Sequence, residues 1–205
     1  MLYKLAHNDD KEIAMRSIFA LGLISAGSNN SRVGGLLKNL GIYYEEENDY
    51  CFVVRVALGL LHAGKGLLTL NQYFSEGFLY NKTGFAGLMV VFYAMLNFEE
   101  FLVKNNHYLM YHLALALYPK MVFAVDENLN NVPINIRVGT AIDTVTQVGM
   151  PRKITGFQTH TSPVVVNNDE RAEIGTEEYI AASSDIMENI IVVKKNPEYT
   201  EEERS

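Results

Sequence analysis

Histidines and a single cysteine are the side chains in this sequence best suited to chemistry. His160 lies in the polar stretch Gln158-Thr159-His160-Thr161-Ser162, where an imidazole could act as a general base toward a neighbouring hydroxyl. No Gly-x-Ser-x-Gly elbow surrounds Thr161 or Ser162, so the turn that presents a serine nucleophile is missing. His107 and His112 share one apolar segment. Their spacing of five puts them on different helix faces, whereas a spacing of four aims two ligands at one metal. His62 sits in a glycine-rich turn. Cys51, within Cys51-Phe52-Val53-Val54, has no partner for an intrachain disulfide or a cysteine zinc site. It is expected to be a small buried hydrophobe.

Backbone-built sites fare no better. Gly34-Gly35 and Gly64-Lys65-Gly66 do not match the phosphate-loop spacing, and they lack its strand-to-helix context. The acidic run Glu45-Glu46-Glu47-Asn48-Asp49 lacks calcium-loop spacing and reads as a solvated face. Asn81-Lys82-Thr83 is a glycosylation sequon, but Met1 to Asp10 lacks the apolar core of a secretory signal. The expectation is therefore a non-enzyme with no catalytic residue, metal or cofactor. The net charge of −7 argues against nucleic acid as the main partner. The longest uncharged apolar run, Phe85 to Leu96, is too short to span a bilayer. A soluble protein of a reducing compartment is expected.

The elements that hold these residues are marked by a repeat. Ala20-Leu21-Gly22-Leu23-Ile24-Ser25-Ala26-Gly27 recurs 37 residues later as Ala57-Leu58-Gly59-Leu60-Leu61-His62-Ala63-Gly64. That period suits helical units that stack on their neighbours. Gly22 and Gly59 are expected to admit a neighbouring backbone, and Gly27 and Gly64 to end their helices. The first unit reads as a helix from about residue 13 to Gly27, then a turn over Ser28 to Ser31, then a helix from Arg32 to Gly41. The second unit begins near Tyr50. Phe52 to Val56 is β-branched enough to compete as a strand, but the aligned first unit favours helix. Leu67 to Leu70 is expected to be a short outer helix, and Asn71 to Gly77 an irregular connection. A third, fainter unit starts near Tyr80, with a helix from His107 to Tyr118 stopped by Pro119.

After Pro119 the pattern changes to period two. Met121 to Val125, Ile134 to Val138, Ala141 to Val148, Lys153 to Thr159, Pro163 to Val166 and Glu188 to Lys195 read as strands. Asn167 to Glu170 is expected to be a hairpin turn. The fold class is therefore α+β: a helical-repeat solenoid or toroid segment over residues 1–120, a small β-sandwich or barrel over 121–197, and a polar tail over 198–205.

The motif Ala-Leu-Gly-Leu-Ile-x-Ala-Gly resembles the proteasome/cyclosome repeat family. The likeness extends over Ala26 to Arg32, Arg55 to Gly59, His62 to Leu70, Asn105 to Tyr108 and Tyr118 to Met121. It continues through Val138 to Asp143, Ile154 to Val164, Glu170 to Glu173 and Lys194 to Tyr199. The resemblance implies repeats closing into a helical toroid, followed by a β-rich domain at the C-terminal end of a much longer chain. It implies a non-catalytic scaffold in the base of the proteasome regulatory particle, in cytoplasm and nucleus. Implied partners are the base ATPases and other regulatory-particle subunits. Ubiquitin receptors, shuttle factors or a deubiquitinase would be reached through the full-length subunit. No ubiquitin-binding residue of the family carries over to this chain. A detached adaptor module binding ubiquitin-like domains is the alternative.

Overall fold

The computed structural model describes residues 1–74, 79–142, 153–167, 170–182 and 189–199. The chain divides into two compact units, Met1–Pro119 and Lys120–Ser205.

The first unit is mainly helical, with α1 (Leu2–Leu5), α2 (Lys11–Ile24), α3 (Ser31–Tyr43), α4 (Asn48–Leu61) and α5 (Lys82–Ala94). Side-chain caps set three of the starts. Asp10 accepts the amides of Glu12 and Ile13, Asn30 those of Arg32 and Val33, and Asn81 that of Gly84. Each such cap stabilises its helix by about 1 kcal/mol. Phe52 to Val56 is helical, as the repeat alignment implies. α2 lies against α4, and α3 packs beside α4. Met15, Ile18, Phe19, Leu37, Leu40, Val53, Ala57 and Leu61 form the core between them. Phe98 and Phe101 reach this core, with their rings 5.8 and 5.9 Å from Phe19 in edge-on contact. The Tyr44 hydroxyl donates to the Ala6 carbonyl at 2.7 Å and ties α1 to the core. Its ring stacks on Tyr50 at 4.0 Å. Burial, aided by neighbouring Tyr50, pushes the Tyr44 hydroxyl up to about 12.

Four short strands complete this unit: β1 (Leu68–Leu70), β2 (Tyr73–Phe74), β3 (Leu79–Tyr80) and β4 (Leu117–Pro119). The outer helix expected over Leu67 to Leu70 is instead β1, paired antiparallel with β4. Gly64 and Lys65 adopt left-handed φ values of 55° and 59°, which break any helix just before this segment. Thr69 is then buried, and its hydroxyl donates to the Ala26 carbonyl. The expected helix from His107 to Tyr118 is a 3₁₀ segment over His107–Ala116 that opens into β4. Tyr118 precedes Pro119, and the proline ring disfavours a helical conformation there. β2, in the connection expected to be irregular over Asn71 to Gly77, pairs antiparallel with β3 just after it, and 75–78 lie outside the described residues.

The second unit holds β5 (Met121–Val125), β6 (Asn135–Ile142), β7 (Lys153–Thr161), β8 (Val164–Val165), β9 (Glu170–Ile174), β10 (Tyr179–Ala181) and β11 (Ile190–Lys195). One sheet has the order β10-β11-β5-β8, with β11 and β5 parallel, and the other has β7-β6-β9. Ile136 and Val138 on β6, Val122 and Ala124 on β5, and Ile191 and Val193 on β11 share one core. Asn135 and Arg137 face outward, as the alternation predicts. The described strands do not close into a barrel: each sheet keeps two edges. Asn167 and Glu170 are hydrogen-bonded, but they do not close a hairpin. β8 pairs with β5 whereas β9 pairs with β6, so the chain changes sheets there. Of the expected strand from Ala141 to Val148, the part from 143 onward lies outside the described residues, as does the tail from 200.

Candidate functional site

Each of the residues suited to chemistry has a structural partner or an open face. Ser162 is buried at the end of β7. Its hydroxyl donates to the Val132 carbonyl at 3.2 Å and accepts the Ile134 amide at 3.1 Å, which ties two strands together. His160 stands exposed on β7, and no hydrogen bond joins it to Ser162 among the described residues. His107 and His112 bond to the carbonyls of Lys104 and Leu109 through their own backbone turns. Cys51 is half-buried rather than fully buried, and its thiol donates to the Tyr44 carbonyl at 3.3 Å. Asn81 of the sequon is occupied as the cap of α5. Asp49 of the acidic run pairs with Lys11 at 2.6 Å. Among the described residues no group of three or more His, Cys, Asp or Glu could hold a metal ion, and no helix is long and apolar enough to cross a membrane.

The repeat glycines do come to defined places. A Cβ at Gly22 would stand 2.6 Å from the Ala57 Cα and 2.8 Å from its Cβ. α2 and α4 therefore approach closely at Gly22. Gly27 follows the end of α2 at φ 66° and donates its amide to the Leu60 carbonyl at 2.9 Å. A side chain there would collide with the Leu68 carbonyl. Gly64 is also left-handed, and a Cβ would press on the Leu68 side chain. Gly59 departs from expectation. Among the described residues nothing lies within 4 Å of a Cβ built there, so it admits no neighbour among them. The cause is placement: Gly59 faces outward from α4, on the side away from α2.

Between the units of the repeat runs a polar strap. The His62 Nδ1–H donates to Asn29 Oδ1 at 2.6 Å, and the Asn29 amide donates to the Lys65 carbonyl at 2.8 Å. The Asn29 backbone amide donates to the Leu61 carbonyl. The turn after α2 thus grips the end of α4, which gives His62 a structural role.

An exposed apolar region of the first unit lies beside α5. An open groove of about 670 Å³ lies between α5 and the segment that follows it, lined by Met89, Val90, Tyr93, Leu96, Phe101 and Leu109. Tyr93 and Leu96 are 77% and 72% exposed beside it. The signal was present in the sequence: Phe85 to Leu96 is apolar all round, without the polar stripe of an ordinary surface helix. Such a surface on a folded chain marks a place where another surface sits.

Comparison with known proteins agrees with the resemblance to proteasome regulatory subunits. Residues 145–199 match the family model described as the C-terminal part of the 26S proteasome non-ATPase regulatory subunit RPN1. The chain is 47% identical over 201 residues to the 26S proteasome non-ATPase regulatory subunit 2 homolog A of Arabidopsis thaliana, covering 98% of this chain and 22% of that protein. It is 43% identical to the 26S proteasome regulatory subunit rpn1 of Schizosaccharomyces pombe over 96% of this chain and 22% of the relative. Against the corresponding subunit of Encephalitozoon cuniculi it is 34% identical, over 96% of this chain and 24% of the relative. The chain thus spans about a fifth to a quarter of the length of these relatives. Over nearly all of its own length, the chain is similar to proteins named as 26S proteasome non-ATPase regulatory subunit 2 or RPN1, and its C-terminal residues 145–199 match the RPN1 C-terminal family model.

Proposed function

We propose that this chain acts as a non-catalytic scaffold segment of the 26S proteasome regulatory particle base. In this reading α2 with α3, and then α4, are consecutive proteasome/cyclosome repeats of a solenoid or toroid, followed by the β-rich unit. The segment supports association with the ATPase ring, and through it ubiquitin-dependent protein degradation, in cytoplasm and nucleus. Its partners are the base ATPases and other regulatory-particle subunits. Ubiquitin receptors, shuttle factors or a deubiquitinase are reached through the longer subunit. The observation that carries the reading is the 47% identity to a named regulatory subunit over 98% of the chain. The Gly22–Ala57 contact supports it, because the repeated octapeptide is where one helix of the pair meets the other. The apolar groove beside α5 fits a component of a larger assembly.

The test is affinity purification of the tagged chain from its own cells, read by mass spectrometry. Recovery of the ATPases with other base subunits is the expected result. Recovery of shuttle factors without ATPases would replace this reading by a detached adaptor that binds ubiquitin-like domains.

A further inference from the structure

The free edge of β7 has no role in the reading above. The Ser162 amide donates to the Ile134 carbonyl at 2.9 Å, so the pairs that bond across β6 and β7 continue as Ile136 with His160 and Val138 with Gln158. Backbone groups of successive strand residues point to opposite sides. The N–H and C=O of Thr159 and Thr161 therefore point away from β6. The other side of β6 agrees: the Gly175 amide donates to Asn135 at 2.8 Å, so the alternate residues of β6 bond toward β9. β7 ends the order β7-β6-β9, and among the described residues no backbone partner meets Thr159 or Thr161. Every residue from Thr155 to Thr161 is exposed. Edges of this kind are usually blunted by lysine or proline, and Phe157 to Thr161 contains neither.

The charge beside this edge selects its occupant. Arg137 projects from the outer face of β6, and its guanidinium lies 5.4 Å from the centre of the half-exposed Phe157 ring. It is exposed and stands opposite Glu173 of β9, but among the described residues it makes no ion pair within 4 Å, so its guanidinium keeps room for a second carboxylate. β7 itself contains no acidic residue, so a second copy pairing through β7 brings no carboxylate on that strand. We propose that the β7 edge accepts an extended segment of a partner protein that carries a carboxylate next to an apolar residue. The segment adds as a further strand, bonds to Thr159 and Thr161, and places its apolar side chain on Phe157 and its carboxylate on Arg137.

The probe is a capped, fluorescent hexapeptide of alternating valine and threonine with one central glutamate. It is titrated into the 205-residue chain and followed by anisotropy. Replacing the glutamate by lysine is expected to weaken binding about tenfold, and Arg137→Ser to erase that preference. Thr159→Pro removes an outward N–H without removing a bond to β6, and is expected to abolish binding. N-methylating the peptide backbone does the same with the protein unaltered, so this comparison decides even where the proline destabilises the sheet. Equal binding of the methylated and unmethylated peptides would overturn the proposal. A dimer of the chain that dissociates on Thr159→Pro would assign the edge to a second copy and overturn the acidic occupant.

Discussion

The same octapeptide does different things in α2 and α4. On α2 the residues Met15, Ile18, Phe19, Gly22 and Ser25 share one face, and all are buried. The positions 37 further on are Phe52, Arg55, Val56, Gly59 and His62. None of them is fully buried, and Phe52 is 39% exposed. α2 is covered by α4, whereas the corresponding face of α4 is largely open among the described residues, with Val56 partly buried and His62 held only by Asn29. A glycine inside a helix carries a propensity cost of about 1 kcal/mol wherever it sits. The cost is offset at Gly22 by a backbone approach that any Cβ would block, and at Gly59 no contact among the described residues offsets it. A repeated motif therefore specifies the ability to stack, and the neighbour decides whether that ability is used.

Breaking the buried face should give the largest effect. Phe19 is fully buried and meets two aromatic rings, so Phe19→Ala is expected to cost about 3–5 kcal/mol. Its counterpart Val56→Ala should cost about 1 kcal/mol. Comparable shifts in urea midpoint for the two would mean that the α4 face is covered after all. Next comes Gly22→Leu, which forces a side chain into the Ala57 backbone. A loss of about 3 kcal/mol is expected from helical unfolding curves.

The second and third helices of the unit can be tested through Tyr44 and Asn29. Tyr44→Phe removes the bond to Ala6 and should cost about 1 kcal/mol at neutral pH. It should also change the alkaline limb. The Tyr44 hydroxyl is raised from 10.0 to about 12 in the folded chain, so the native state holds this proton more tightly than the unfolded state. The stability it contributes is full below about pH 10 and is lost as pH rises through about 12. The Phe variant should lose less stability than the parent across that window, as followed by thermal unfolding at stepped pH. Asn29→Ala cuts the strap to His62 and Lys65 at a left-handed residue, and should cost about 1 kcal/mol or less because the site is exposed.

Much of this organisation is legible in the sequence, for identifiable reasons. Asp10 and Asn30 stand where helices are expected to start, because a short polar side chain can reach the free amides, whereas Asn81 shows in the sequence only as a sequon. The alternation at Ile134, Ile136 and Val138 announces β6. Gly59 is not legible, because its octapeptide matches that of Gly22 at six of eight positions and the difference lies in what packs against it. Two substitutions did carry the signal: Arg55 stands where Ile18 does, and His62 where Ser25 does, both on the open face. The pairing of β1 with β4 joins segments nearly fifty residues apart, which no local pattern encodes. The unpaired side of β7 likewise depends on which strand ends the sheet. The free helical surface at α5 was written in its uniform apolarity, a signal of what is missing from the chain's own contacts.

The comparison rests most directly on a pair of alanines. Gly22→Ala and Gly59→Ala make the same chemical change, in the same motif, with the same gain in helix propensity. Their unfolding by urea should be followed by circular dichroism in the helical band. Gly22→Ala is expected to destabilise by about 1–3 kcal/mol through overpacking on Ala57, and Gly59→Ala to stabilise by about 0.4–1 kcal/mol. Shifts of the same sign at both positions would contradict the account, because they would mean that the two glycines meet equivalent surroundings.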